Sequence, residues 1–260
     1  MKIIKVPINY GALEKKEGQE YAPQTIVDNL KNYYLKENGL LPVLEIDEVT
    51  INNSDIDSSN QEIEKKAYEQ DSPAIFIGGD HSMTYSTFKG LYNRSDNPGL
   101  LIFDAHLDCT NNFSPPTHED FLRVLIEEKI VKPENVIIVG ARNFHPNELN
   151  FVKKNKVKIF DMREISRSGK EEVCNSFMSV AKNFKKLYVS VDIDVLDPAF
   201  APGTGYTEPG GLTTRELLYF IQRLKSLKNI ELMDLVEVNP SKDINNLTVS
   251  VASKLIMEMS

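Results

Sequence analysis

The chain has 260 residues, with 38 acidic against 30 basic side chains and a formal net charge of -8. Hydrophobic residues make up 41% and charged residues 26%, the composition of a folded globular chain rather than a disordered one. The acidic balance speaks against nucleic acid as the main partner, because phosphate recognition needs a basic face. It suits cationic small molecules and metal ions. No apolar run approaches the roughly 18–20 residues of a membrane span. Lys2 and Lys5 interrupt the short apolar start, so no signal peptide is expected. Two cysteines, Cys109 and Cys174, make no disulfide framework and no CxxC pair, and a reducing cytoplasm is the expected compartment.

Short apolar runs alternate with amphipathic stretches along the chain. The runs cover residues 3–8, 43–46, 74–77, 100–103, 136–139, 157–160, 187–195 and 230–238. Most are rich in Val, Ile and Leu and are followed closely by Gly, Asp or Asn, the pattern of strands buried on both faces. Helical patterns lie between them at 23–38, 59–70, 82–94, 117–129, 147–155, 168–184, 213–227 and 245–257. The first has a proline near its first turn, and the stretch from Thr117 opens on Thr-His-Glu-Asp, which suits a helix N-terminus. The polar stretch 52–60 reads as a loop too short to divide domains. Eight strand candidates interleaved with eight helix candidates predict an α/β fold around a parallel sheet, with residues 1–260 as one domain.

Open α/β folds bind ligands at the carboxyl ends of their strands. Four of the expected strands end in chemistry-bearing residues: Gly78-Gly79-Asp80-His81-Ser82, Asp104-Ala105-His106-Leu107-Asp108, Asp192-Ile193-Asp194 and Glu237-Val238-Asn239-Pro240. In extended chain, residues i and i+2 share a face, so Asp104, His106 and Asp108 are expected to converge, as are Asp192 and Asp194. Four crowded aspartates need compensating positive charge. The nearest flanking cations of the first group are Arg94 and Arg123, and the second has none until Arg215. Metal ions are the natural compensation, and an oxygen-rich set with two imidazoles favours Mn²⁺ before Zn²⁺. Six candidate ligands with shared carboxylates would hold two ions roughly 3.5–4 Å apart, the arrangement that activates a bridging hydroxide. Four aspartates, two divalent ions and one hydroxide leave the cluster at about -1, which favours a cationic substrate.

At these residues the sequence resembles the ureohydrolase family of arginases, agmatinases and their relatives. The resemblance rests on residues 78–82, on 104–108, on SVDIDVLDPAFAPGTGYTEPGGLT from Ser190, on VEVNP from Val236 and on GQEYAPQTI from Gly18. It runs through nearly the whole chain in order. It implies a three-layer α/β/α sandwich with an eight-stranded parallel sheet and two Mn²⁺ per chain. His81, Asp104, Asp108 and Asp192 would hold one ion; His106, Asp104, Asp192 and Asp194 would hold the other, with Asp104 and Asp192 bridging. Glu237 would accept a hydrogen bond from the substrate's guanidinium, and His118 matches the family's proton-shuttle histidine. Oligomers in the family are trimers or hexamers.

The ten-residue step from Asp108 to His118 and the Pro202-Gly203-Thr204-Gly205 segment resemble agmatinases more than arginases. The uninterrupted Gly-Gly-Asp-His-Ser speaks against a formiminoglutamate hydrolase. Agmatine is therefore the leading substrate, with arginine or another guanidino acid as alternatives, and a non-catalytic metal-binding scaffold is the rival from another class. The substrate-pocket residues are set by departures from both subfamilies. Glu119 stands where agmatinases have glycine, Tyr206-Thr207 follows Gly205, and His145 stands where arginases have an aspartate. His145 reads either as a helix-entry residue or as a pocket contact, and Tyr206 either packs its loop or lines the pocket mouth. Cys109 alternates away from Asp108 and reads as apolar filler.

Overall fold

The apolar runs of the sequence are strands because helices cover both faces of the sheet they form. The computed structural model describes residues 1–13, 17–52 and 54–260. The strands are β1 (Lys2–Val6), β2 (Glu45–Glu48), β3 (Ala74–Gly78), β4 (Gly99–Phe103), β5 (Val136–Val139), β6 (Lys158–Phe160), β7 (Leu187–Asp192) and β8 (Ile230–Val236). They make one eight-stranded sheet in the order β2-β1-β3-β8-β7-β4-β5-β6, and every neighbouring pair is parallel.

The helices are α1 (Ala22–Asn29), α2 (Ile56–Tyr68), α3 (Met83–Asn93), α4 (Phe121–Glu127), α5 (Pro146–Asn155), α6 (Met162–Ser168), α7 (Lys170–Ala181), α8 (Thr214–Leu224) and α9 (Leu247–Met259). Strand residues alternate between two cores. Ile77, Phe103 and Val191 pack with Ile26 of α1, Ile165 of α6, Phe177 of α7, Phe220 of α8 and Leu255 of α9. Phe76, Ile102 and Tyr188 pack on the other face with Ile63 of α2, Phe88 of α3, Leu122 of α4 and Val152 of α5. The result is the three-layer α/β/α sandwich. Phe103, Phe177 and Phe220 form an aromatic knot with ring centroids 5.5–5.9 Å apart. Truncating the fully buried Phe220 to alanine is expected to cost about 3–5 kcal/mol.

The differences from the sequence reading are local. The helix expected over 23–38 ends at Asn29. A 3-10 turn, Leu30–Asn32, follows, and Tyr33 is already extended at φ -116 and ψ 138. Helix α6 was not expected: it is seven residues long, polar, and buries Ile165 alone. The polar stretch 52–60 is a loop only up to Asp55, whose side chain caps α2 by accepting from the Ser58 N–H; Asn53 of that stretch lies outside the described residues. No described helix is long and apolar enough to cross a membrane.

Chain order places the site. After β3 the chain crosses to β4 and builds outward through β5 and β6, then returns to fill the gap with β7 and β8. The four strands that carry His, Asp and Glu at their carboxyl ends are therefore the four adjacent central strands, where such sheets bind ligands.

Candidate metal centre and active site

The turn after β3 delivers His81. A Cβ on Gly79 would sit 1.7 Å from the Ile8 carbonyl oxygen, so glycine is needed for the amino-terminal segment to approach. Buried Asp80 fixes the turn, accepting the N–H of Gly11 at 3.1 Å and of Ser82 at 3.0 Å. The expected i, i+2 convergence by strand pleating is not how the aspartates meet. Strand β4 ends at Phe103, and the Asp104 carboxylate accepts the His106 N–H at 2.7 Å, bending the chain; Asp108 then takes a left-handed φ of 48. Asp194 lies in a 3-10 turn after β7, with its N–H donated to Asp192 Oδ1 at 2.8 Å. Turns bring the carboxylates together, and each turn is closed by one of them.

Two groups result, His81 with Asp104 and Asp192, and His106 with Asp104 and Asp194, each with its ligand atoms within 4.8 Å of one another. His81 Nδ1 lies 3.3 Å from Asp104, 3.1 Å from Asp108 and 3.1 Å from Asp192. His106 Nδ1 lies 3.5 Å from Asp104 and 3.1 Å from Asp194. All six residues named as ligands from the sequence thus meet in one place. Asp104 is the carboxylate common to both groups, while Asp192 falls in the His81 group.

The electrostatics are those of an unbalanced acidic cluster. Burial and repulsion from Asp104 push Asp108 well above the usual carboxylate range; burial and repulsion from Asp194 and Asp104 do the same to Asp192. Burial would raise Asp104 too, but hydrogen bonds from His106 and His81 hold it below the range. Burial would lower both imidazoles, and the surrounding carboxylates instead hold them well above the ordinary histidine value. Among the described residues no lysine or arginine side chain pairs with any of the four aspartates. Hard oxygen donors, two imidazoles and uncompensated negative charge fit divalent cations.

Glu237 stands beside this cluster on a left-handed φ of 64, a costly conformation for a residue with a side chain. Its N–H is tied to the Gly79 carbonyl at 2.8 Å. Its Oε1 accepts the His81 N–H at 2.8 Å and lies 3.2 Å from His118 Nδ1; Oε2 accepts from Gln19 Nε2. His118 precedes α4, is 4% exposed, and is held by its N–H to the Gly11 carbonyl at 3.1 Å. Burial lowers its pKa, but Glu237, Asp80 and Asp108 outweigh that and raise it to about 9. His118 Nε2 lies 3.9 Å from Glu119 Oε1 and has no hydrogen-bond partner among the described residues. A cleft of about 360 Å³ opens above the cluster, lined by His106, Asp108, His118, His145, Tyr206 and Glu237 among others. His145 caps α5 by accepting the Asn147 N–H at 3.3 Å and lines the cleft. Tyr206 lines the cleft, with its ring centroid 5.3 Å from that of His106 and 5.9 Å from that of His118. Cys109 is fully buried in the core, with its N–H donated to Glu148.

The Arginase family model matches residues 1–260. The chain belongs to the arginase family. An arginase of Staphylococcus aureus is 31% identical over 243 residues, covering 88% of this chain and 78% of its own. An agmatinase of Bacillus subtilis is 34% identical over 188 residues, covering 70% and 61%. The structure of a formimidoylglutamase from Bacillus subtilis superimposes with a TM-score of 0.93 at 28% identity, over 99% of this chain and 85% of that one. Relatives of comparable similarity thus carry three different substrate names.

This arginase-family site also uses residues that the sequence reading did not single out. His81 Nε2 meets Ser190 Oγ at 2.8 Å, and Ser190 donates to Asp234 at 2.7 Å. Asp234, fully buried in β8, also accepts from Tyr188 at 2.6 Å and Thr84 at 2.7 Å. The available signal was a lone acid inside an apolar run. Gln19 and Arg142 gave no such signal. Arg142 aims its guanidinium at the backbone carbonyls of Asp194, Val195, Leu196 and Glu208, 2.7–3.2 Å away, and so fixes the loop behind the cluster.

Proposed function

We propose that this hydrolase of the arginase family frees urea from a guanidino compound, with agmatine the leading substrate, using two Mn²⁺ ions. The observation that supports this most is the pair of Asp/His groups sharing Asp104 on the floor of a cleft whose walls carry Glu237 and His118. His81, Asp104, Asp108 and Asp192 would hold one ion and His106, Asp104, Asp192 and Asp194 the other. Bound ions supply a water nucleophile at neutral pH, which a guanidinium carbon, a poor electrophile, requires.

The side chains of the chain itself do the rest. Glu237 Oε1 already faces His81 N–H and His118, so its remaining acceptor capacity is on Oε2, beside Gln19; that oxygen receives a guanidinium N–H and orients the group. Hydrolysis adds one water across the C–N bond. The carbon keeps the oxygen as urea, and the alkyl nitrogen departs as an amine with a proton. His118, which lines the cleft, holds that proton, with Nδ1 toward Glu237 and Nε2 3.9 Å from Glu119 Oε1. Divalent charge nearby lowers the His118 pKa from about 9 toward neutrality, the range in which it can both take and give a proton.

The second reading is an arginase or another guanidino-acid or amidino hydrolase, which the neighbouring His145 favours: with Nδ1 accepting from Asn147, Nε2 carries a proton that a substrate carboxylate could accept. The chain is proposed to work as a single domain in the cytoplasm, as a trimer or hexamer, without a nucleic-acid or membrane partner. The test is urea release by the manganese-loaded protein from agmatine, arginine, 4-guanidinobutyrate, 3-guanidinopropionate and guanidine. Urea from agmatine above the others supports the reading. Silence across the panel with two ions bound per chain would turn it toward the scaffold.

A further inference from the structure

We infer that the mouth of the cleft is a subsite for an alkylammonium tail, with Glu119 and Glu208 as its acceptors; this rests on the floor being where the guanidino group is cut. Both glutamates line the cleft, and each is fixed through one oxygen. Glu119 Oε1 accepts the Tyr206 hydroxyl at 2.6 Å, and Glu208 Oε1 accepts Asn143 Nδ2 at 2.7 Å. Among the described residues neither Oε2 atom has a hydrogen-bond partner, so each keeps a carboxylate oxygen for a ligand. The same cleft contains His118, 4% exposed, whose Nε2 lies 3.9 Å from Glu119 Oε1 and has no hydrogen-bond partner among the described residues. An occupant is therefore expected to run from the floor past His118 to these two acids.

The features that would hold a carboxylate tail are already committed. No lysine or arginine lines the cleft among the described residues. Arg142, the adjacent cation, has its fork filled by four backbone carbonyls. The N-terminus of α5 abuts the cleft, but it begins with Pro146, which has no N–H, and the Asn147 N–H is taken by His145. Glu148 turns its carboxylate onto the His145 N–H at 3.1 Å, adding another acid to the wall. With His118 facing Glu237 and Glu119 through its two nitrogens, one imidazole N–H on His145 is thus set against two carboxylates with free oxygens. A tail carrying three N–H donors and a positive charge is the complement.

The test compares tails on one guanidino head, using the manganese-loaded full chain: agmatine with an ammonium, butylguanidine with a methyl, and 4-guanidinobutyrate with a carboxylate. The kcat/KM for agmatine is expected to exceed that for butylguanidine by roughly tenfold, the scale of partly exposed ion contacts acting together. Glu208→Gln and Glu119→Gln should each bring that ratio toward one, mainly through the KM for agmatine. In parallel, 1,4-diaminobutane is titrated calorimetrically into the wild type and Glu208→Gln, with circular dichroism to confirm folding. Equal values for agmatine and butylguanidine, or a preference for 4-guanidinobutyrate, would overturn the subsite and leave the hydrolase reading standing. Urea from none of the three contradicts the hydrolase reading instead. The diamine titration then decides the subsite alone: binding that Glu208→Gln removes supports it, and no binding overturns it.

Discussion

The two imidazoles of the metal centre are supported very differently. His81 is 1% exposed, with Nδ1 toward three carboxylates and Nε2 locked through Ser190 to Asp234, itself gripped by Tyr188 and Thr84. His106 is partly exposed and faces two carboxylates, its Nε2 has no hydrogen-bond partner among the described residues, and its ring is backed by Tyr206 at the cleft. An imidazole whose far nitrogen is hydrogen-bonded has a fixed tautomer and orientation, and holds a metal more tightly for it. The His81 half should therefore fill first and the His106 half, open to substrate, last. The His81 half is set in the core, and the His106 half opens on the cleft.

The largest expected effect comes from removing what the halves share. Asp104→Asn should abolish binding of both ions and reduce urea release to background, measured by metal analysis and urea assay; Asp192→Ala should do the same if that carboxylate bridges. Full activity in Asp192→Ala would contradict the two-ion reading. Next is His118→Gln, which leaves both halves intact and removes the proton carrier. A kcat loss of about 10²–10⁴-fold with two ions still bound is expected from steady-state kinetics and metal analysis. Smaller is Asp234→Asn, which should weaken the first, tighter manganese site by about 10–100-fold and leave the weaker one nearly unchanged. Equal weakening of both would erase the distinction between the halves.

The smallest effect is a pH dependence of the metal-free protein. His118 keeps its proton in the folded state up to about 9, against 6.5 for a free imidazole. Its contribution to stability is therefore full below 6.5 and is lost as pH rises through about 9. Denaturant unfolding of the metal-free wild type and His118→Gln should show a gap at pH 6 that closes by pH 10. Loading with manganese should move that window downward, because nearby cations disfavour the imidazolium.

How much of this was legible follows from the same contrast. The eight strands were legible because both faces are buried, so runs such as AIFIG and GLLIF carry the signal without alternation. The convergence of the six Asp and His residues was legible because strand ends of one parallel sheet must meet at one edge. The geometry of their meeting was not, since it depends on turns after Phe103 and Asp192 and on a left-handed Asp108 that no pleat rule foresees. The support of His81 was half legible, as an acid inside LMDLV. The contact of Gln19 with Glu237 was invisible, because a single amide in a 3-10 turn meets its partner 218 positions away. Helix α6 carries one buried residue and so left no periodic trace.

The central claim is most directly tested by titrating Mn²⁺ into metal-stripped protein while following both heat and urea release from agmatine. Two ions per chain should bind in sequence, a tight one with little activity and a weaker one whose occupancy tracks urea. Full urea release by the stripped protein, or a single ion sufficing for it, would contradict the account.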